Sequence, residues 1–148
     1  MSSTHLSLNY HVIFSTKNRE PWIAPEWETR LHAYLGGCVK KTGGIPIEIN
    51  GMPDHVHLII GLKATQCIAN VVRDNKAPAS AWVHSDIHVS KFQWQDGYAA
   101  FTVSASVLEI VREYVRDQKV KHTRYSFKQE YLKLLKTSGI AYDARYLW

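Results

Sequence analysis

Two histidines, His55 and His57, lie one residue apart in the segment Asp54-His55-Val56-His57. Side chains at positions i and i+2 of a β-strand project from the same face of the sheet, so the two imidazoles are expected to lie together. Because Val56 and Leu58 project the other way, toward a core, the histidines should stand on the open face. Two imidazoles on one rigid strand can share a metal ion. A bare His-x-His pair is also typical of ordinary polar residues on an exposed strand.

A second pair, Tyr114 and Gln118, lies four residues apart in a segment with helical periodicity. Residues at this spacing share one face of a helix, where a phenolic nucleophile and an amide oxygen ligand could stand side by side. Tyr114 also follows Val107 and Val111 at the spacing of a buried stripe, and on periodicity alone a core or boundary position is the favoured interpretation. Both interpretations nevertheless stay open.

Other polar residues are weaker candidates. Glu48, on the strand that precedes the histidines, is a possible further contact of the metal site, although an exposed strand glutamate is the alternative. Several basic side chains are candidate phosphate contacts, and each could instead be a solvated surface charge. They are Lys17, Arg19, Arg73, Lys76, Arg112 and Arg116.

The elements that position these residues follow from periodicity and turn signals. The pattern predicts a strand, a helix, two strands joined by the turn at 51–54, a second helix and a fourth strand. These lie at Leu6 to Ser15, Pro25 to about Lys40, Ile45 to Asn50, His55 to Ile60, Thr65 to about Asn75, and Tyr98 to Val103.

Two capping boxes predict further helices after the fourth strand. The first, Ser106 to Glu109, begins a helix that runs to about Lys121. The second, Ser126 to Gln129, begins a short helix stopped by Gly139. The tail from Tyr142 to Trp148 is aromatic enough to be expected against the protein.

The order strand, helix, strand, strand, helix, strand is that of the ferredoxin-like α+β fold, here with additional C-terminal helices. It predicts an antiparallel sheet with one face covered by helices and the other open. A length of 148 residues, with 45% hydrophobic residues, predicts one domain over residues 1–148. We expect nucleic acid to bind the open face, as is common in this fold class.

The net charge of +5 favours anionic partners such as nucleic acid. No apolar run approaches the roughly 20 residues that cross a bilayer, and the N-terminus lacks the pattern of a secretion signal. We therefore expect a cytoplasmic protein with no membrane partner.

Several segments together resemble the HUH single-tyrosine (Y1) transposases of the IS200/IS605 type. They occur in the family's order and span nearly the whole chain, so the combination is far more specific than the histidine pair alone. The matching segments are Phe14 to Arg19, Met52 to Leu58, Trp94 to Tyr98 with Phe101 to Ser104, Tyr114 to Gln118, and Tyr142 to Trp148.

The resemblance implies specific roles. His55 and His57 would be the HUH histidines, Gln118 the third metal ligand and Tyr114 the catalytic nucleophile, with Mg²⁺ or Mn²⁺ as cofactor. The implied partner is single-stranded DNA, typically hairpins at the ends of the element. The implied assembly is a homodimer whose composite active sites join the histidine pair of one subunit to the tyrosine helix of the other.

The implied reaction cleaves single-stranded DNA through a 5′-phosphotyrosine link and a free 3′-hydroxyl. A phenol has an unperturbed pKa near 10 and needs a cation or a base to act at neutral pH. The covalent link conserves the energy of the phosphodiester, so the strand can be rejoined elsewhere, which a water-activating nuclease could not achieve.

Two other hypotheses belong to different classes. A domesticated, transposase-like DNA-binding protein would keep hairpin recognition without transposition activity, but it would not require all of His55, His57, Tyr114 and Gln118. A metal-dependent hydrolase of small molecules is disfavoured because the sequence around the pair offers few further acidic or histidine ligands.

Overall fold

Four antiparallel strands form the sheet of the computed structural model, which describes residues 3–122, 125–143 and 145. The strands are β1 (Asn9–Ser15), β2 (Ile45–Met52), β3 (His55–Gly61) and β4 (Ala99–Val103). Their order across the sheet is β2-β3-β1-β4, and every neighbouring pair is antiparallel. The ferredoxin-like fold is therefore confirmed, and the hairpin between β2 and β3 is confirmed with it.

Two helices, α1 (Pro25–Lys41) and α2 (Ile68–Trp82), cover one face of the sheet. The buried side of α1 includes Leu31 and Leu35, which recur at helical spacing and have no exposed surface. They pack with Val56, Leu58 and other apolar residues of the strands into the main core. Burial of this continuous apolar surface fixes the sheet against the helices.

Helix α2 is longer than the sequence predicts. We expected it to end near Asn75, before the stretch that contains Pro78, but it continues to Trp82 and a π-helical turn follows at Val83–Ile87. Proline lacks the amide hydrogen that a helix interior uses. Ala79 and Val83, which follow Pro78, are nevertheless fully buried in the core. Tertiary packing thus outweighs the local penalty.

The second face of the sheet is not open, and this expectation was wrong. Three C-terminal helices, α3 (Leu108–Arg116), α4 (Gln118–Lys121) and α5 (Phe127–Thr137), follow β4 in the chain. The apolar side of α5 forms a second core with residues of β1 and β4. The residues of this core are Ile13, Ala99, Phe127, Tyr131 and Leu135. As a result, His55 and His57 have no exposed surface.

One of the two predicted capping boxes is present. Ser126 Oγ accepts from the Gln129 amide, and Gln129 Oε1 accepts from the Ser126 amide. Gly139 follows the end of α5 with a φ of +68°, which confirms the predicted stop.

The other predicted box is wrong. Helix α3 begins at Leu108 without a side-chain cap, because the Ser106 hydroxyl bonds to Ser104 instead. The helix expected to run to Lys121 is broken at Asp117, whose φ and ψ are −93° and 20°.

The aromatic tail does not pack as expected where it is described. Tyr142 is 49% exposed, and Asp143 is paired with Arg145. Ala144 and the residues from Tyr146 to Trp148 lie outside the described residues. Among the helices in the described part of the chain, none has the length and apolar character needed to span a bilayer.

Gly51 lies where β2 approaches β3 most closely. A Cβ atom built at this position would be 2.3 Å from the carbonyl oxygen of His55 and 3.0 Å from Val56 Cα. Both contacts are with backbone, so Gly51→Ala must displace the start of β3. We expect a loss of about 1–3 kcal/mol in the free energy of unfolding, measured by urea denaturation.

Gly37→Ala is the matched control, because a Cβ there meets nothing within 4 Å. This position lies inside α1, and alanine should stabilise the helix by roughly 0.5–1 kcal/mol. Equal stability of Gly51→Ala and the wild type would contradict the close approach of the two strands.

Candidate active site and metal centre

The histidine pair lies on a central strand of the sheet. In the register of the sheet, His55 is opposite Ser15 and His57 is opposite Ile13 of β1. Strand alternation sends Val56 into the main core and both imidazoles to the second face, as the sequence predicts. Both rings are therefore held by strand geometry and buried beneath the C-terminal helices.

Asp54 fixes the orientation of His55. Its Oδ1 atom lies 2.7 Å from His55 Nδ1. The imidazole ring of His55 also stacks on the ring of Phe127, with 3.9 Å between centroids. Burial alone would lower the pKa of His55, but its hydrogen bonds with the Asp54 and Glu130 carboxylates outweigh burial and raise that pKa. With Nδ1–H donated to Asp54, Nε2 faces the centre of the site. A carboxylate behind a histidine is a common support of metal ligands.

His11 performs a similar role for His57. The two rings stack at 5.0 Å between centroids. His11 Nε2 lies 2.8 Å from His57 Nδ1, so one of these nitrogens donates a hydrogen bond to the other. Burial lowers the pKa of His11 to about 3 and that of His57 to about 4. Both imidazoles are therefore neutral at neutral pH, the state in which histidine can act as a metal ligand.

A buried carboxylate, Glu130 of α5, lies at the centre of the site with 1% of its side chain exposed. Its Oε1 atom is 3.0 Å from His57 Nε2, 3.3 Å from His122 Nε2 and 3.6 Å from His55 Nε2. Burial opposes ionisation, but the adjacent imidazoles of His122, His55 and His57 lower the pKa of Glu130 well below its usual range. The carboxylate is therefore ionised and faces an arc of imidazole nitrogens.

The second oxygen of Glu130 faces Tyr114, which lies on α3, and Gln118. Glu130 Oε2 accepts a short hydrogen bond from the Tyr114 hydroxyl and another from Gln118 Nε2 at 3.1 Å. Burial and the negative charge of Glu130 raise the pKa of Tyr114. The phenol is thus protonated at neutral pH and needs a compensating positive charge to ionise.

Gln118 reaches the centre from the start of α4. Its Oε1 atom lies 3.4 Å from His55 Nε2 and 3.1 Å from His122 Nε2. Tyr114 and Gln118 were predicted on one continuous helical face, but the break at Asp117 separates them. Both side chains still meet at Glu130, because the chain turns there and begins a new helix at Gln118.

The donor set has the chemistry and spacing of a divalent cation site. An ion with ligands at about 2.1 Å places adjacent ligand atoms of an octahedron about 3 Å apart. The imidazole nitrogens, the amide oxygen and the carboxylate oxygen of the site make several contacts of 3.0–3.6 Å with one another. Ligand atoms of His55, His122 and Glu130 all lie within 4.8 Å of one another. His57 contacts the same Glu130 oxygen but is not in that set of three.

A cavity of about 310 Å³ lies beside Tyr114. Tyr125, Glu130, Lys133 and Thr137 are among its lining residues. Tyr114 is half-buried, whereas His55 and His57 have no exposed surface, so the phenol is more accessible than this histidine pair. The cavity gives an extended ligand a way to reach the phenol.

Glu48 does not join the histidines. Although it is opposite Ile59 and so shares their face, its Oε1 atom pairs with Arg116 at 3.2 Å and Arg112 at 3.5 Å. This pairing has a simple electrostatic cause, because the two guanidinium groups of α3 lie nearer to the Glu48 carboxylate than the imidazoles do.

The candidate phosphate contacts have different environments. Lys76 donates to the carbonyl oxygens of Gln95 and Gly97, and burial lowers its pKa to about 8. Its ammonium group therefore holds the backbone at residues 95–97 and has a structural role. Arg73 is exposed beside Asp74, Lys17 is exposed, and Arg19 is half-buried with a φ of 55°.

Four residues of the site were not assigned a role from the sequence: His11, Asp54, His122 and Glu130. Two of them have signals that strand and helix patterns could have revealed. His11 alternates with the core residues Tyr10 and Val12, which places it on the face of the histidine pair. Glu130 occupies a buried stripe with Phe127 and Tyr131, where a carboxylate is unexpected unless it has a function.

The sequence matches the family model described as "Transposase IS200 like" over residues 4–118. The chain belongs to this family. Among known transposases, the IS200-like chain is 26% identical to the ISDra2 transposase TnpA of Deinococcus radiodurans over 117 residues, which cover 75% of this chain and 84% of that protein.

Two solved structures share the fold of this IS200-like transposase. One is a Deinococcus radiodurans R1 protein described as a transposase, with a TM-score of 0.62, 24% identity and coverage of 80% of this chain and 98% of the other. The second is a REP-associated tyrosine transposase bound to a REP hairpin, with a TM-score of 0.61, 15% identity and coverage of 82% and 74%.

The support of His55 by Asp54 gives a prediction for metal binding. Asp54→Asn keeps the size of the side chain but removes the charge that holds Nδ1–H. We expect Mn²⁺ affinity, measured by isothermal titration calorimetry, to fall roughly 10–100-fold. Asp86→Asn, at an exposed aspartate bonded to Ser85, is the control and should bind as the wild type does. Unchanged affinity in Asp54→Asn would show that this carboxylate does not support a ligand.

Proposed function

We propose that this IS200-like transposase cleaves and rejoins single-stranded DNA through a covalent link to Tyr114. The observation that carries the proposal is the shared carboxylate of Glu130. One of its oxygens accepts a hydrogen bond from the Tyr114 hydroxyl, and the other faces the imidazoles of His55 and His57. The Glu130 carboxylate thereby contacts both the nucleophile and the candidate metal site.

The reaction follows from this arrangement. The phenolic oxygen of Tyr114 attacks the scissile phosphorus, and the phenolic proton leaves to solvent by way of Glu130 Oε2, which already accepts its hydrogen bond. The bond between phosphorus and the 3′-oxygen breaks, and that oxygen takes a proton from solvent. The products are a 5′-phosphotyrosine and a free 3′-hydroxyl. Attack by a 3′-hydroxyl on the phosphotyrosine reverses these steps and rejoins a strand without ATP.

His55, His57 and Gln118 are the proposed ligands of the catalytic ion, Mg²⁺ or Mn²⁺. These residues would hold a divalent cation, and the bound ion would supply the positive charge that polarises a scissile phosphate and offsets the charge developing in the transition state. The raised pKa of Tyr114 makes this positive charge necessary, because the phenol otherwise stays protonated beside an anionic glutamate. His11 and Asp54 act on the reaction by orienting the two imidazoles.

The proposed substrate is a DNA hairpin at the end of the mobile DNA element. The structural relative bound to a REP hairpin supports this class of substrate. The cavity beside Tyr114 would admit the strand, and Lys133 on its wall provides a positive charge for phosphate. Lys17, Arg19 and Arg73 remain proposed phosphate contacts. Arg112 and Arg116 are paired with Glu48, so any role in binding DNA requires them to exchange that partner.

Tyr114→Phe tests the nucleophile. With a hairpin oligonucleotide bearing a single-stranded flank and Mn²⁺, the wild type should form an adduct that survives a denaturing gel. The variant should form none, because it lacks the attacking oxygen. It should still bind the oligonucleotide in a mobility-shift assay.

Tyr125→Phe is the matched control, since Tyr125 lines the same cavity. It should retain the adduct. An adduct that persists in Tyr114→Phe and disappears in Tyr125→Phe would reassign the nucleophile. Hairpin binding by the wild type without cleavage of any tested DNA would favour the domesticated DNA-binding protein.

The resemblance implies a homodimer with composite sites, whereas the structure brings Tyr114 and both histidines together within one chain. We propose that cleavage uses the tyrosine and histidines of the same chain, whether or not two chains associate. The contact of Tyr114 with Glu130, which also bonds to His57, supports this arrangement.

Mixing two inactive variants, His57→Ala and Tyr114→Phe, distinguishes the arrangements. If each site lies within one chain, the mixture should form no adduct after subunit exchange. Recovered adduct formation would instead establish a composite site, because a mixed dimer would then contain one intact combination. Light scattering on the same samples shows whether dimers are present.

A further inference from the structure

Two side chains of types that bind metal ions lie at the centre of the site but beyond the matched family segment. That segment ends at residue 118, whereas His122 follows α4 and Glu130 belongs to α5. Neither is a surface residue, since the side chains of His122 and Glu130 are 6% and 1% exposed. The stretch after residue 118 therefore adds one imidazole and one carboxylate to the proposed ligand set.

The geometry of these two groups matches that of the assigned ligands. His122 Nε2 lies 3.1 Å from Gln118 Oε1 and 3.3 Å from Glu130 Oε1. Together with His55, they form the group whose ligand atoms all lie within 4.8 Å of one another. The position of His122 is fixed further by its edge contact with the ring of His55, at 4.8 Å between centroids.

Charge gives an independent reason to include Glu130. The ligands His55, His57 and Gln118 are neutral when they bind a cation, and a doubly charged ion in a buried site is costly without a nearby negative charge. Glu130 provides that charge within ligand distance of the histidines. A carboxylate oxygen is also a donor that Mg²⁺ and Mn²⁺ favour, whereas imidazoles suit zinc and copper better.

We infer that Glu130 and His122, from the chain after residue 118, are direct ligands of the catalytic ion and that the Glu130 carboxylate biases the site toward Mn²⁺ and Mg²⁺. This inference rests on the proposed function, because it concerns the same ion. It makes the C-terminal helices part of the metal centre. Glu130 also links that centre to the nucleophile, since its other oxygen holds the Tyr114 hydroxyl.

The test is calorimetric titration of the full chain with Mn²⁺ and, separately, Zn²⁺, without DNA. Glu130→Gln preserves shape while removing the charge, and we expect at least a tenfold loss of Mn²⁺ affinity. Zn²⁺ affinity should fall less, so that the preference for Mn²⁺ over Zn²⁺ decreases. A purely structural role would weaken both metals alike. His122→Asn should also weaken Mn²⁺ binding at least tenfold.

Two further variants separate the possible failures. Glu113→Gln removes an exposed carboxylate next to Tyr114 in the chain and should bind Mn²⁺ as the wild type does. His57→Ala should abolish binding if the proposed metal site is correct. Wild-type affinity in His57→Ala, or no binding by the wild type itself, would overturn the proposed site together with this inference.

The inference alone fails if His57→Ala loses Mn²⁺ while Glu130→Gln and His122→Asn bind it normally. Circular dichroism of each metal-free variant identifies any loss of folding. If Glu130→Gln does not fold, His122→Asn decides the question, because this residue lies at the edge of the centre and outside the apolar core of α5.

Discussion

The interaction on which the site depends is that of one buried carboxylate with three imidazoles and a phenol. Removing Glu130 from water is costly, and the hydrogen bond to His57 together with the close polar contacts of His55 and His122 offset that cost. The same bonds tie α5 to the centre of the sheet, so the second core and the polar centre stabilise one another. Fold stability and the arrangement of reactive groups therefore rest on shared contacts.

This arrangement explains why several polar residues are buried together. Strand β3 supplies two imidazoles, while His11 on β1 and Asp54 before β3 orient them. Each imidazole thus has one nitrogen held from behind and one directed inward. Such support limits the motion of a metal ligand. Tyr114 of α3 bonds to one oxygen of Glu130 and His57 to the other, so this carboxylate joins the phenol to the imidazoles.

Much of the fold followed from local patterns. The strands, α1 and the βαββαβ order were predictable because apolar periodicity and turn residues act over short distances. The course of α2 through Pro78 was not, because burial of Ala79 and Val83 outweighs a local helix-breaking preference. The break at Asp117 also escaped prediction, and Gln118 reaches His55 from the new helix that begins after it.

The sequence by itself determined that His55 and His57 share one face, since strand alternation is a property of the backbone, and its motifs identified the transposase family. Only the tertiary structure decided that this face is covered, that Glu48 belongs to the arginines of α3, and that Glu130 reaches the pair. The reason is distance along the chain. Glu130 and His57 are separated by 73 residues, and no local pattern specifies which side chain will meet another across such a loop.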